Sequence, residues 1–218
     1  MFEEEKIRDW EKGTANPIPD NKYIRFKEEL ILYSKKYSER NLMLFILARA
    51  TGYRMGDLVS LTIGEIKEAL EHGYFSIQES KQYEQWKSNL PKYPNRKKPD
   101  RRDALIGNKL EKYLRDYVKG KKRSEFAFPS NKGGGNEAIS QKAFSEILSE
   151  VGKRIGLKNI SGHSPRKTFA TKIYEESGKD LEQVRIALNH QSIEETKRYL
   201  GLKEKMIKDS FKIADKDI

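Results

Sequence analysis

"HSPRKTFAT" (163–171) places a histidine, an arginine and a lysine within five positions, with a proline among them and an apolar helical stretch after them. Ser164 suits an N-cap and Pro165 the first helical position. Arg166 then falls in the first turn, beside unpaired backbone N–H groups and the positive end of the helix dipole. That is a ready anion site. His163 precedes the helix and faces the same pocket, while Phe169 and Ala170 run on into the core. Capped helices with an early arginine are common, so the segment needs companions before it implies chemistry.

The chain supplies two. In "TGYRMGDL" (51–58) Gly52 ends one helix, Arg54 emerges at the break and Asp57 follows one turn later. One reading is a surface Arg–Asp pair of little energetic weight. The other is a guanidinium held by a carboxylate and aimed at a phosphate, where planar bidentate geometry matters. In "LNHQSIEETKRY" (188–199) His190 and Tyr199 stand nine residues apart with Thr196 between them. Tyr199 is one of eleven tyrosines, but the chain has only three histidines and two fall in these segments. Histidines so far apart, without cysteine, make poor metal-site spacing.

Composition narrows the partners. The 218 residues suit one large domain, or one domain with an arm. Charged residues make up 35% and the formal net charge is +11. The pI is about 9.5 and the mean hydropathy −0.86. A chain this basic points to nucleic acid or another acidic surface. The absence of cysteine excludes disulfides, zinc–cysteine sites and cysteine nucleophiles, and fits a reducing cytosol. No stretch reaches the roughly 18 apolar residues of a membrane span. The acidic start, "MFEEEKIRDWEKG", is no signal peptide.

Along the chain, residues 1–20 read as an arm ending in "ANPIPDN". Phe26, Leu30, Tyr33 and Tyr37 line one face of a first helix. "SERNLMLFILARATG" is a buried second helix with Ser38 as cap and Gly52 as stop. A short helix follows in "YRMGDLVSLTIGEI". "GYFSIQES" has strand character and "RRDALIG" is its partner. The "KQYEQWKSNLPKYPNRKKPD" between them reads as a long polar loop. Lys92, Arg96, Lys97, Lys98, Arg101 and Arg102 cluster in or just beyond it, as a basic finger for a phosphate backbone. "NKLEKYLRDYVKGKKR", "EAISQKAFSEILSEVGKRIGL", 164–177 and 180–188 are helices, with a loop at "NKGGGN". The fold class is mainly α with a small antiparallel β-sheet. In the tail, Leu202, Met206, Ile207, Phe211 and Ile213 make one apolar helical face.

Taken in order, the three segments resemble the tyrosine recombinases, the phage integrase family. Its members read "TGLR-x-x-E-L", "H-x-L-R-H-x-F-A-T" and "L-G-H-x-x-x-x-x-T-x-x-Y". The resemblance covers about residues 23 to 200. Pro165 stands where Leu is usual, Asn189 where Gly is usual and Asp57 where Glu is frequent. None of these removes a reacting group.

The resemblance implies a DNA breaking-and-joining enzyme that needs no metal, ATP or other cofactor. It implies Arg54 and Arg166 on the non-bridging phosphate oxygens, with Asp57 in support. Tyr199 would attack phosphorus to give a 3′-phosphotyrosyl link, His163 would take its proton and His190 would donate to the phosphate. The family's leaving-group acid is a lysine on a β-hairpin. Here "FSIQESKQ" points to Lys81, with Lys87 or Lys92 as alternatives. Double-stranded DNA is the implied partner, bound by a homotetramer passing through a Holliday junction. The implied setting is the cytoplasm of a prokaryote, or a phage or other mobile element. The domain expected at 21–200 is catalytic, and the 201–218 tail docks either on a neighbouring protomer or on its own domain.

Relatives usually carry an N-terminal clamp of about 80–100 residues, whereas 53 residues precede Arg54. The chain is then a piece of a longer integrase or a short recombinase like the fimbrial invertases, and Met1 favours the second. Without a clamp, DNA affinity is expected to be weak and steeply salt-dependent. A type IB topoisomerase and a non-catalytic DNA-binding regulator are the rival readings.

Overall fold

The computed structural model describes residues 15–132 and 137–215. Residues 1–14 of the expected arm and most of the expected glycine loop lie outside the described residues. The chain runs α1 (Tyr23–Ser34), α2 (Ser38–Thr51), α3 (Met55–Val59), α4 (Ile63–His72), β1 (Tyr74–Ile77) and α5 (Ser80–Asn89). Then come β2 (Arg102–Leu105), α6 (Asn108–Val118), α7 (Gln141–Arg154), α8 (Ser164–Glu176), α9 (Leu181–Leu188), α10 (Ile193–Leu200) and α11 (Leu202–Ala214).

The centre is α2, buried on nearly every side from Met43 to Ala48. Phe26 of α1 stacks on its Phe45 with ring centroids 5.0 Å apart. Tyr37 does not extend the α1 face as its spacing suggests. The helix breaks at Lys35, whose φ is 49°, and Tyr37 lies in a 3-10 turn. Nor does Ser38 cap α2: it is the first helical residue, and the junction is closed instead by Asn41 donating to Ser34 Oγ at 2.9 Å. Gly52 stops α2 with φ 63°, and a Cβ there would lie 2.3 Å from the Phe169 ring. Only glycine meets both demands. Thr62 and Glu65 start α4 with a capping box.

β1 and β2 pair antiparallel, Tyr74 opposite Leu105 and Ile77 opposite Arg102. Their connection is not the expected long loop, since its first half is α5. Asp57 sets the start of that helix: its Oδ1 accepts from the Ser80 amide at 2.9 Å and the Ser80 hydroxyl at 2.5 Å. Trp86 of α5 then donates to the Arg96 carbonyl at 2.8 Å, folding the rest of the segment back on the helix.

The end of the expected arm belongs to the core. Ile18 is fully buried, and its amide donates to Thr168 Oγ1 of α8 at 2.8 Å. A second small core forms where α8, α9 and α10 meet, around Ala170, Val184 and Leu188, with Tyr199 and Leu200 packed on it. At the tail, Met206, Ile207, Phe211 and Ile213 of α11 remain exposed, so the apolar face expected there is not covered by its own domain.

Candidate active site

One carboxylate organises the positive charge. Glu79, in the turn after β1, is 1% exposed, and its Oε1 lies 2.7 Å from Arg54 Nη1, 3.2 Å from Arg166 Nη1 and 3.8 Å from Arg102 Nε. These arginines come from the break after α2, the first turn of α8 and the start of β2. Burying guanidinium groups together is costly unless counter-charge and acceptors are supplied. Backbone carbonyls complete the supply. Arg166 donates to the carbonyls of Gly52 at 2.5 Å and Leu188 at 2.8 Å. The sharp stop at Gly52 therefore both launches Arg54 and presents an acceptor to Arg166.

The carboxylate expected to hold Arg54 was Asp57. The structure corrects this: Asp57 is buried against Ser80 and starts α5, while Glu79 takes Arg54. Glu79 escapes a reading by motif because it pairs with residues 25 and 87 positions away, which no local spacing reveals. The signal available was its place in "ESK", beside the candidate lysine.

Tyr199 sits near the end of α10, which Ser192 caps at one end and Gly201 closes at the other with φ 69°. Its ring meets that of His190 edge-on, centroids 5.3 Å apart at 74°. Its hydroxyl is buried and makes no well-formed hydrogen bond among the described residues. Burial raises the phenol's pKa, while Arg166, at hydrogen-bonding reach, and Arg54 pull it down. The resting group is a neutral phenol facing two guanidinium groups.

The histidines are also gathered here. His190 is 5% exposed, and burial brings its pKa down to about 4, helped by Arg166 and Arg54 and opposed by Glu195. Its Nδ1 lies 3.1 Å from Thr196 Oγ1. Asn189 before it adopts the left-handed conformation, φ 54°, which explains how asparagine serves at a position where glycine is expected. His163 stands just outside the first residue of α8, as the N-cap position, with Ser164 inside the helix. It is open to solvent on one side. Partial burial lowers its pKa, and the charges of Arg166, Arg54 and Lys81 lower it further. Both imidazoles are neutral at neutral pH.

Lys81 lies in the first turn of α5, not at a strand end, and is exposed. Its charge acts on both histidines, so it borders the same pocket. Its neighbour Gln82 forms a reciprocal amide pair across 107 residues: Gln82 Nε2 donates to the Asn189 carbonyl at 2.6 Å, and Asn189 Nδ2 donates to Gln82 Oε1 at 3.0 Å. Arg54, Lys81, His163, Arg166, His190 and Tyr199 are thus brought together, from four separate stretches of the chain.

The basic finger divides. Lys92, Arg96, Lys97, Lys98 and Arg101 are exposed. Arg102 is not part of it. It is 7% exposed, donates to Ala187 and Thr51 carbonyls at 2.5 and 2.7 Å, and lies 3.9 Å from the centroid of the Tyr53 ring. Burial, then the charge of Arg166, lowers its pKa to about 10. Arg102 is a structural member of the Glu79 cluster.

The sequence model described as "Phage integrase family" matches residues 24–206. The chain is 27% identical over 186 residues to a probable integrase/recombinase, YoeC of Bacillus subtilis, covering 85% of this chain and 91% of that protein. It is 25% identical to tyrosine recombinase XerA of Pyrococcus furiosus, covering 86% of this chain but 59% of that protein. Among solved structures, XerA recombinase superposes with a TM-score of 0.60 at 18% identity, covering 93% of this chain and 65% of that one. XerH bound to its palindromic difH substrate superposes with a TM-score of 0.60 at 20% identity, covering 93% and 54%. These superpositions show that the fold is that of tyrosine recombinase catalytic domains.

Proposed function

The chain belongs to the phage integrase family, and on that premise we propose that it is a site-specific DNA recombinase whose nucleophile is Tyr199. The observation that carries this is a buried phenol, without a well-formed hydrogen bond, beside Arg166 and Arg54 within one chain. A scissile phosphate between them offers its non-bridging oxygens to the two guanidinium groups. The charge that grows in the pentacoordinate transition state meets donors already in place. The chemistry draws on no metal and no ATP.

The proton inventory closes within the site. Tyr199 Oη forms a bond to phosphorus as the bond to the 5′ oxygen breaks. The phenol proton passes to His163, which is neutral and able to accept it. Lys81 gives a proton to the departing 5′ oxygen. His190 donates from Nε2 to the phosphate, which requires its proton on that nitrogen. In the structure the Thr196 hydroxyl donates to the Ser192 carbonyl at 3.2 Å; turning that hydrogen to Nδ1, 3.1 Å away, supplies the condition when DNA is bound. The phosphotyrosyl link conserves the bond energy for rejoining. Lys92, Arg96, Lys97, Lys98 and Arg101 hold the DNA backbone beside the site. The exposed face of α11 docks on a neighbouring protomer of a DNA-bound tetramer.

The experiment uses a pool of nicked duplexes with randomised arms. Duplexes that become covalently attached are recovered under denaturing conditions and sequenced, and the enriched site is tested for strand exchange between two copies. Enrichment of an inverted-repeat site that supports exchange is expected. Relaxation of plasmid without exchange would favour the topoisomerase reading, and specific binding without any adduct would favour the regulator.

A further inference from the structure

The four residues 79–82 divide in an unusual way. Glu79 is fixed by guanidinium groups, Ser80 by Asp57 and Gln82 by Asn189. The side chain of Lys81 alone makes no hydrogen bond or ion pair among the described residues. A free lysine is flanked on both sides by anchored neighbours.

The anchors matter because α5 has little else to hold it. None of its residues is buried. Its Tyr83 and Trp86 are half-buried against each other and the segment that follows, not against the core, and a ten-residue helix is marginal alone. Its orientation depends on bonds at its first turn. Asp57 fixes where the helix begins but leaves rotation about that point. Gln82, on the other side of Lys81, removes that freedom by joining the helix to residue 189, next to His190. Both its amide groups are used, so the pairing fixes direction as well as distance.

We propose that Gln82 is a positioning residue, whose paired bonds to Asn189 hold the first turn of α5 so that Lys81 Nζ faces the leaving 5′ oxygen. The proposal rests on the recombinase reading and on Lys81 as its acid. In the step concerned, the phosphorus–O5′ bond breaks, O5′ takes a proton from the Lys81 ammonium, and Lys81 is left as the neutral amine. Asn189, where glycine is the expected residue, gains a purpose: it accepts the left-handed backbone and adds the donor that Gln82 Oε1 receives.

The test uses the enriched duplex in two forms, one with the natural 5′ oxygen and one with a bridging 5′ sulfur at the scissile position. Sulfur leaves as a thiolate and needs no acid. Single-turnover cleavage by Gln82→Ala is expected to fall roughly tenfold on the oxygen substrate, part of the ~10²–10⁴ that a well-placed acid supplies. On the sulfur substrate the same variant should stay within about twofold of the parent protein. Asn189→Gly, which deletes one of the two bonds and suits the backbone, should lose less. The double variant should match Gln82→Ala, because the bonds are shared. An equal loss on both substrates would make Gln82 structural and overturn the proposal, as would no loss on either. If the parent protein forms no Tyr199 adduct on either duplex, the recombinase reading fails, and this inference with it.

Discussion

Two regions of this molecule are rich in arginine and lysine, and they use the charge in opposite ways. Around Glu79, three guanidinium groups are paired with one carboxylate; those of Arg102 and Arg166 are buried and tied to backbone carbonyls, and that of Arg54 is half-buried. In the stretch after α5, Lys92, Arg96, Lys97 and Lys98 stand in solvent, and the ion pair of Lys97 with Asp100, at 3.3 Å, is itself exposed. The border falls between consecutive residues. Arg101 is exposed and donates to Ser76, whereas Arg102 starts β2 and turns inward. Adjacent strand residues point to opposite faces. Fixed charge can shape a transition state, whereas mobile charge can only attract DNA.

That contrast breaks most sharply at Arg166. Arg166→Ala should slow adduct formation roughly 10²–10³-fold, the cost of removing a preorganised donor, while duplex binding by gel shift changes little. A comparable loss in binding would place Arg166 among the merely attractive charges.

Next comes the carboxylate. Glu79→Gln leaves like charges facing each other in a dry pocket, so urea denaturation at pH 7 should show a loss of about 3–5 kcal/mol. Unchanged stability would mean that the guanidinium groups need no counter-charge.

Acid should reveal the same pocket. The folded pKa of His190, about 4, lies below the ordinary 6.5. The unfolded chain therefore takes up a proton that the folded chain refuses. Stability is undiminished above pH 6.5 and is lost as the pH falls from 6.5 towards 4, by roughly 3 kcal/mol from this residue. His190→Gln should flatten that part of the stability curve. Cleavage should fade on the acid side too, as His163 becomes charged at a pH below its ordinary value.

The smallest effects separate the two regions. Arg102→Ala should cost about 2 kcal/mol in stability, through lost hydrogen bonds and packing on Tyr53, without altering the salt dependence of DNA binding. Lys97→Ala with Lys98→Ala should do the reverse: stability within about 0.5 kcal/mol, and a salt slope shallower by about 0.9 for each phosphate that is no longer neutralised.

Much of this was legible in the sequence because it is local. The helices follow from apolar periodicity, the strand pair from two short β-prone runs, and the candidate reacting residues other than Lys81 from three motifs of fixed spacing. What escaped was not local. Glu79 joins side chains from three elements, and Ile18 enters the core through a bond to Thr168 across 150 residues. Arg102 looks like Arg101 until the pleat of β2 is known. The helix α5 was hidden for a different reason. Its sequence is polar apart from Tyr83 and Trp86, neither of which reaches the core, and its start depends on Asp57, 23 residues earlier. Periodicity cannot announce a helix that buries nothing.

The central claim is that the phenol of residue 199 attacks DNA from within its own chain. It is tested most directly by trapping the protein on the enriched nicked duplex, digesting it and mapping the attachment by mass spectrometry. The account predicts a 3′-phosphoryl group on the peptide containing Tyr199 and no adduct from Tyr199→Phe. Attachment at any other tyrosine, or an undiminished adduct in that variant, would contradict it.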